Sequence, residues 1–154
     1  MRQEHDISRY LSRVVDSLPS PFAQFAFLAS LRDSYTGHYF QEGWATVCST
    51  GELNVTLRDM HNTVFASVAR LSPVELSQEL RTHFRSIGEV ERSAATLWLD
   101  TEPYCDMIPE GCSSLSRQYF ISQVRLALKL LLHAPSWEFR CTPCGFRPPL
   151  RSQL

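Results

Sequence analysis

The chain has 154 residues, of which 44% are hydrophobic and 20% charged, with a formal net charge of -1. That length suits one hydrophobic core, and the composition excludes both an intrinsically disordered polymer and a membrane protein. Near-neutrality also removes the basic field that nonspecific nucleic-acid binding needs, so neither a nucleic acid nor a membrane is an expected partner.

The first residues carry Glu4 and Asp6 and lack the apolar core of a secretory signal. The richest apolar run, Leu126 to Leu132, is broken by Lys129 and falls far short of the ~18 residues that cross a bilayer. Cys48, Cys105, Cys112, Cys141 and Cys144 are an odd number in a chain able to bury its own core, which points to a reducing compartment. The expected location is cytoplasmic.

Ile7, Tyr10, Leu11, Val14, Val15 and Leu18 recur at steps of three and four and predict an amphipathic first helix, ended by Leu18-Pro19-Ser20-Pro21. Ser20 is a helix cap with Pro21 at the first helical position, so a second helix runs from Phe22 to about Leu31. It is apolar nearly all round and should be buried. Ser49-Thr50-Gly51-Glu52 matches a capping box, and Leu53, Leu57, Met60, Val64, Val68 and Leu71 carry one apolar face through a long third helix.

Ser72-Pro73-Val74-Glu75 repeats the box, starting a fourth helix with Leu76, Leu80, Phe84 and Ile87 inward, and the third and fourth helices read as antiparallel neighbours. Gly88 breaks the pattern before a short fifth helix defined by Val90, Ala94, Leu97 and Trp98. The last helix, Ser114 to His133, has a narrow polar stripe of Gln118, Ser122, Arg125 and Lys129, with apolar residues over most of the remainder. It is the expected central helix. Proline and glycine after Ala134 forbid another long helix, and no sustained period of two predicts a sheet. The expected fold is all-α, a single-domain antiparallel bundle of five or six helices over residues 1–134, with an irregular Pro- and Cys-containing C-terminal tail over 135–154.

Three stretches carry a family resemblance: Ser20-Pro21-Phe22-Ala23-Gln24-Phe25-Ala26, Leu31-Arg32-Asp33-Ser34-Tyr35-Thr36-Gly37 and Trp98-Leu99-Asp100-Thr101-Glu102-Pro103-Tyr104. They resemble those of a family of uncharacterised bacterial helical proteins, over about residues 7–132. The resemblance implies a bacterial cytoplasmic setting. It brings no assigned activity and no functional residue, and the cysteine-bearing tail lies outside it.

Between two predicted helices, Tyr35, His38, Tyr39, Phe40 and Trp44 gather with Asp33 and Glu42. Aromatics beside an imidazole and carboxylates can hold a small ligand or a partner side chain; alternatively they close the core. No nucleophile with a base and an orienting group can be named, which argues against an enzyme. Leu80 to Trp98 has the outline of a two-helix DNA reader. Phe84 stands where a small residue is needed, Glu89 follows the glycine, and Arg92 is the sole cation of the would-be reading helix. His61 and His83 read as core-edge histidines, because Glu79 and His83 lack the further ligands of a di-metal bundle.

Cys141-Thr-Pro-Cys144-Gly has the spacing of half a zinc site. The loop from Asp100 to Ser116 holds Asp100, Glu102, Asp106 and Glu110 with no base, whereas Arg140, Arg147 and Arg151 follow Glu138 in the tail with no further acid. Opposite charges would draw the segments together and bring Cys105 and Cys112 to Cys141 and Cys144, a possible four-thiolate zinc site. The sequence therefore predicts a noncatalytic protein-binding or adaptor module with an unknown protein partner and no cofactor; the alternative is a zinc-stapled regulatory or sensor domain.

Overall fold

The computed structural model describes residues 2–32, Tyr39 and residues 51–133. Among them are six α-helices and no strand: α1 (Arg2–Ser17), α2 (Pro21–Ser30), α3 (Gly51–Ala69), α4 (Pro73–Ser86), α5 (Glu91–Thr101) and α6 (Ser114–His133), with a 3-10 turn at Pro103–Met107 between the last two. The all-helical reading holds. The 135–154 tail and the cap residue Ser49 lie outside the described residues.

The punctuation read from sequence works as hydrogen-bond chemistry. At the start of α4, Ser72 Oγ accepts the Glu75 N–H at 3.1 Å while the Glu75 carboxylate accepts the Ser72 N–H at 2.9 Å, a complete capping box. At its other end Gly88 takes φ of 82°, which an L-side chain resists. The turn lets the Glu89 N–H reach the Phe84 carbonyl at 2.8 Å and the Gly88 N–H the Arg85 carbonyl at 3.0 Å, the paired bonds of a Schellman end.

The middle of the molecule is α2. It packs against α1, α3, α4 and the 3-10 turn, and only Ser30 of its residues is exposed. Phe25 of α2, Phe65 of α3 and Phe120 of α6 meet with ring centroids 5.1 to 5.9 Å apart, joining the two sides of the bundle. Phe22 extends the core to His83, Phe84 and Trp98.

Three expectations are corrected. First, α3 and α4 are not the principal pair: α2 lies against both, and α4 packs chiefly on α6. Inserting the most apolar helix between them covers more of its surface than an outer position would. Second, α6 is not the central helix. Phe120, Val124, Ala127, Leu128 and Leu131 are buried, but Leu115, Tyr119, Leu126 and Leu130 on its opposite side are exposed. Third, Tyr10, Ile87, Val90 and Leu97 face outward. Ile87 and Val90 cap helices on either side of the Gly88 turn, and α5 makes its contact through the small Ala94 and Ala95 instead.

Leu128 has no exposed surface. Leu128→Ala should therefore cost about 2 to 5 kcal/mol, the lost transfer energy plus that of a cavity. Chemical denaturation checks this, and a change under about 1 kcal/mol would mean the side chain is not in the packed core.

Candidate functional site

Two places on this scaffold hold chemistry that the helix pattern alone does not require: a buried polar cluster beside α2, and the outer side of α6.

The cluster begins at the ends of α2. An apolar helix in the core still presents unpaired amides at its start. Here Pro21 has none, the Phe22 N–H donates to a Glu79 carboxylate oxygen at 3.1 Å, Ala23 donates to Ser20 Oγ at 3.2 Å, and Gln24 donates to the Ser20 carbonyl at 3.1 Å. Glu79 thus brings an anion from α4 to the positive end of the α2 dipole. Just past the other end, the Arg32 guanidinium donates to the Ile108 carbonyl at 2.9 Å and to the Asp106 carbonyl, gripping the end of the 3-10 turn.

Next to Arg32 lies a buried tyrosine–histidine pair. His61 is completely buried and Tyr39 is 1% exposed, and the Tyr39 hydroxyl is 2.7 Å from His61 Nδ1. The Tyr39 N–H also donates to Asn54 Oδ1 at 2.9 Å, so α3 holds Tyr39 by backbone and side chain. Burial, reinforced by the nearby Arg32 charge, lowers the His61 pKa from 6.5 to about 4. The Met107 carbonyl opposes that shift, and Nε2 has no closer hydrogen-bond partner among the described residues. A neutral imidazole has one donor and one acceptor nitrogen. The proton belongs on Nε2, facing the carbonyl, which leaves Nδ1 to accept from the phenol. Burial also raises the Tyr39 pKa, against the opposing pull of Arg32, and keeps the phenol as the donor. A neutral donor–acceptor pair closed from water is built to hold backbone together.

Of the residues singled out by sequence, Asp33, Tyr35, His38, Phe40, Glu42 and Trp44 lie outside the described residues, and Tyr39 turns inward to His61. Arg32 and Asn54 escaped the sequence reading. One signal was available: His61 falls on the four-residue ladder Leu53, Leu57, His61, Phe65 of α3, where a polar ring must find its partner from another segment. Glu79 serves as the helix cap, and His83 lies among Phe22, Phe84 and Trp98 with its pKa lowered by burial. His83 sits at the core edge as expected, whereas His61 lies fully inside the core.

Around the acidic loop, Glu102 adopts a left-handed φ of 52° at the end of α5 and pairs with Arg125 of α6 at 2.5 Å. Tyr104 stacks on Trp98 with centroids 5.9 Å apart. Cys105 and Cys112 are free thiols, each half-buried. Cys105 Sγ lies 3.7 Å from Glu102 Oε1, and burial followed by the Glu102 charge raises its pKa. Among the described residues no three histidine, cysteine or acidic side chains gather as metal ligands; Cys141 and Cys144 lie outside them.

On the outer side of α6, Leu115 is 79%, Tyr119 57%, Leu126 48% and Leu130 43% exposed. At about 100° and 1.5 Å per residue they fall within an arc of about 60° and extend about 22 Å. None of the helix's three charged residues, Arg117, Arg125 and Lys129, falls inside that arc.

Two stability predictions follow from the buried pair. Tyr39→Phe and His61→Leu should each cost about 1 to 3 kcal/mol by stranding a polar partner, while the double variant should cost clearly less than their sum. Additive costs in denaturation would dissolve the pair. For pH, the folded His61 value lies below the unfolded one, so the neutral ring's contribution is complete above pH 6.5 and is lost as pH falls through about 4. Wild type should lose about 3 kcal/mol more than the double variant between pH 7 and pH 4. Parallel stability curves would contradict a buried neutral histidine.

No family model matches the chain, and neither the curated proteins nor the solved structures contain a match.

Proposed function

We propose that the chain is a noncatalytic protein-binding or adaptor module of a bacterial cytoplasm, docking another protein chain through the outer side of α6. The observation that carries the reading is the charge-free stripe of Leu115, Tyr119, Leu126 and Leu130 on one helix. Single exposed apolar residues are ordinary, but four aligned along one helix supply the anchors by which an amphipathic partner docks. The noncatalytic part is supported by the engagement of the chemically capable groups: His61 with Tyr39, Glu79 with the start of α2, His83 among aromatic rings. The bacterial cytoplasmic setting rests on the sequence resemblance and on the free Cys105 and Cys112. The aromatic segment Asp33 to Trp44 belongs to the same proposal as a second candidate surface.

The test is capture from a bacterial lysate by the tagged chain, with Leu126→Glu and Tyr119→Lys compared against wild type. Bound proteins should be lost with either variant while the melting temperature stays near that of wild type. Capture that is equally strong with both variants removes the reading, as does a wild type that neither captures a protein nor associates with itself. Loss of binding with Trp44→Ala at unchanged stability would extend the surface to the aromatic segment.

A further inference from the structure

We infer that the outer side of α6 is a self-association face, on which a second copy of this chain docks with its own α6 antiparallel; this rests on the proposed protein-binding role and names its partner. The argument comes from the positions of the exposed apolar residues. Leu115, Tyr119, Leu126 and Leu130 are symmetric about the point between Ser122 and Gln123: the outer two lie equally far from it, and so do the inner two. A two-fold axis at that level sets Leu115 opposite Leu130 of the second copy and Tyr119 opposite Leu126. Every exposed anchor then meets an apolar partner, the self-complementarity an isologous contact demands. Ser122, exposed and small, stands at the centre where the helices come closest.

Charge selects the same direction. α6 contains Arg117, Arg125 and Lys129 and no acidic residue, so a parallel pair would bring each Lys129 level with its own copy. Antiparallel pairing separates the two Lys129 side chains by about 20 Å along the axis, beyond the Debye length of about 10 Å at 0.1 M salt. Arg125 is already paired within its own chain by Glu102. One helix pair of four turns lies near the floor of about 1,000 Å² for a specific interface, so the association should be micromolar and concentration-dependent.

Sedimentation velocity over a concentration series, on the full chain, reads the result. Wild type should pass from monomer to dimer, and Leu126→Glu or Tyr119→Lys should raise the dissociation constant at least tenfold, with helicity by circular dichroism confirming that both fold. Val55→Glu, at an exposed site on α3, should leave it unchanged. Gln118 and Lys129 lie on one flank of the stripe, and the antiparallel register brings them within about 3 Å of the same level across the pair. Gln118→Glu should therefore tighten the dimer severalfold at low salt and lose that gain at high salt. A wild type that stays monomeric up to its solubility limit overturns self-association, as does a dimer indifferent to both stripe variants. A dimer weakened or unchanged by Gln118→Glu overturns the antiparallel register. In the monomeric case, lysate capture that still depends on Leu126 leaves the broader protein-binding reading standing; capture indifferent to Leu126 removes both.

Discussion

The constraint on which this structure depends is the burial of α2. Ten residues with almost no polar side chain make a poor helix in water, since a segment so short gains too little from its own hydrogen bonds. The helix persists because its surroundings supply both the apolar contacts and the polar partners for its ends. Phe22, Phe25 and Leu28 are each at most 1% exposed, and the Phe25–Phe65–Phe120 contacts link α2, α3 and α6. Glu79, 57 residues along the chain, completes the amide accounting at the start of the helix. Removing that carboxylate would leave an amide unpaired in a partly buried place, which costs more than the net worth of the bond itself.

The same demand for polar satisfaction explains the other buried groups. Arg32 follows α2 directly and gives its guanidinium to carbonyls that the 3-10 turn leaves without helical partners. Its positive charge then acts on His61, holding the ring neutral beyond what burial alone does. A neutral His61 can accept from Tyr39, and Tyr39 in turn is fixed by Asn54. A chain of local requirements therefore links the end of α2, the ladder of α3 and the turn before α6. These polar groups keep the ends and neighbours of a buried helix in place.

The parts of the fold that were legible in the sequence are those governed by nearby residues. The Ser20 cap with Pro21, the Ser72 box with Glu75 and the stop at Gly88 each involve atoms within a few residues, and each forms as read. Pairing of helices was not legible, because the third and fourth helices are each amphipathic and nothing local says that α2 will come between them. Of the candidate site, Tyr39 was singled out but its partner was not. Its contact with His61 spans 22 residues, and periodicity records which face a residue occupies without recording what meets it. Arg32 was hidden for a related reason: it binds main-chain carbonyls 74 and 76 residues away, and carbonyls leave no mark in a sequence.

The misplacement of α6 follows from the same limit and carries the functional argument. A helix apolar over most of its circumference is ordinarily a buried one, and that rule put α6 at the centre. Its inner side does what the rule expects: Phe120, Val124, Ala127 and Leu128 are without exposed surface in a helix packed on α4 and α5, with Phe120 meeting Phe25 of α2 and Phe65 of α3. The remaining apolar residues cannot be absorbed by this core, because α4 and α5 already occupy two flanks and Glu102 fixes α6 through Arg125. Among the described residues the fold covers α6 on one side, and the other side is the face on which the proposed docking rests. Tyr119 fits that position well, since an aromatic ring offers a large apolar area at small conformational cost and keeps a hydroxyl for the wet rim of a contact.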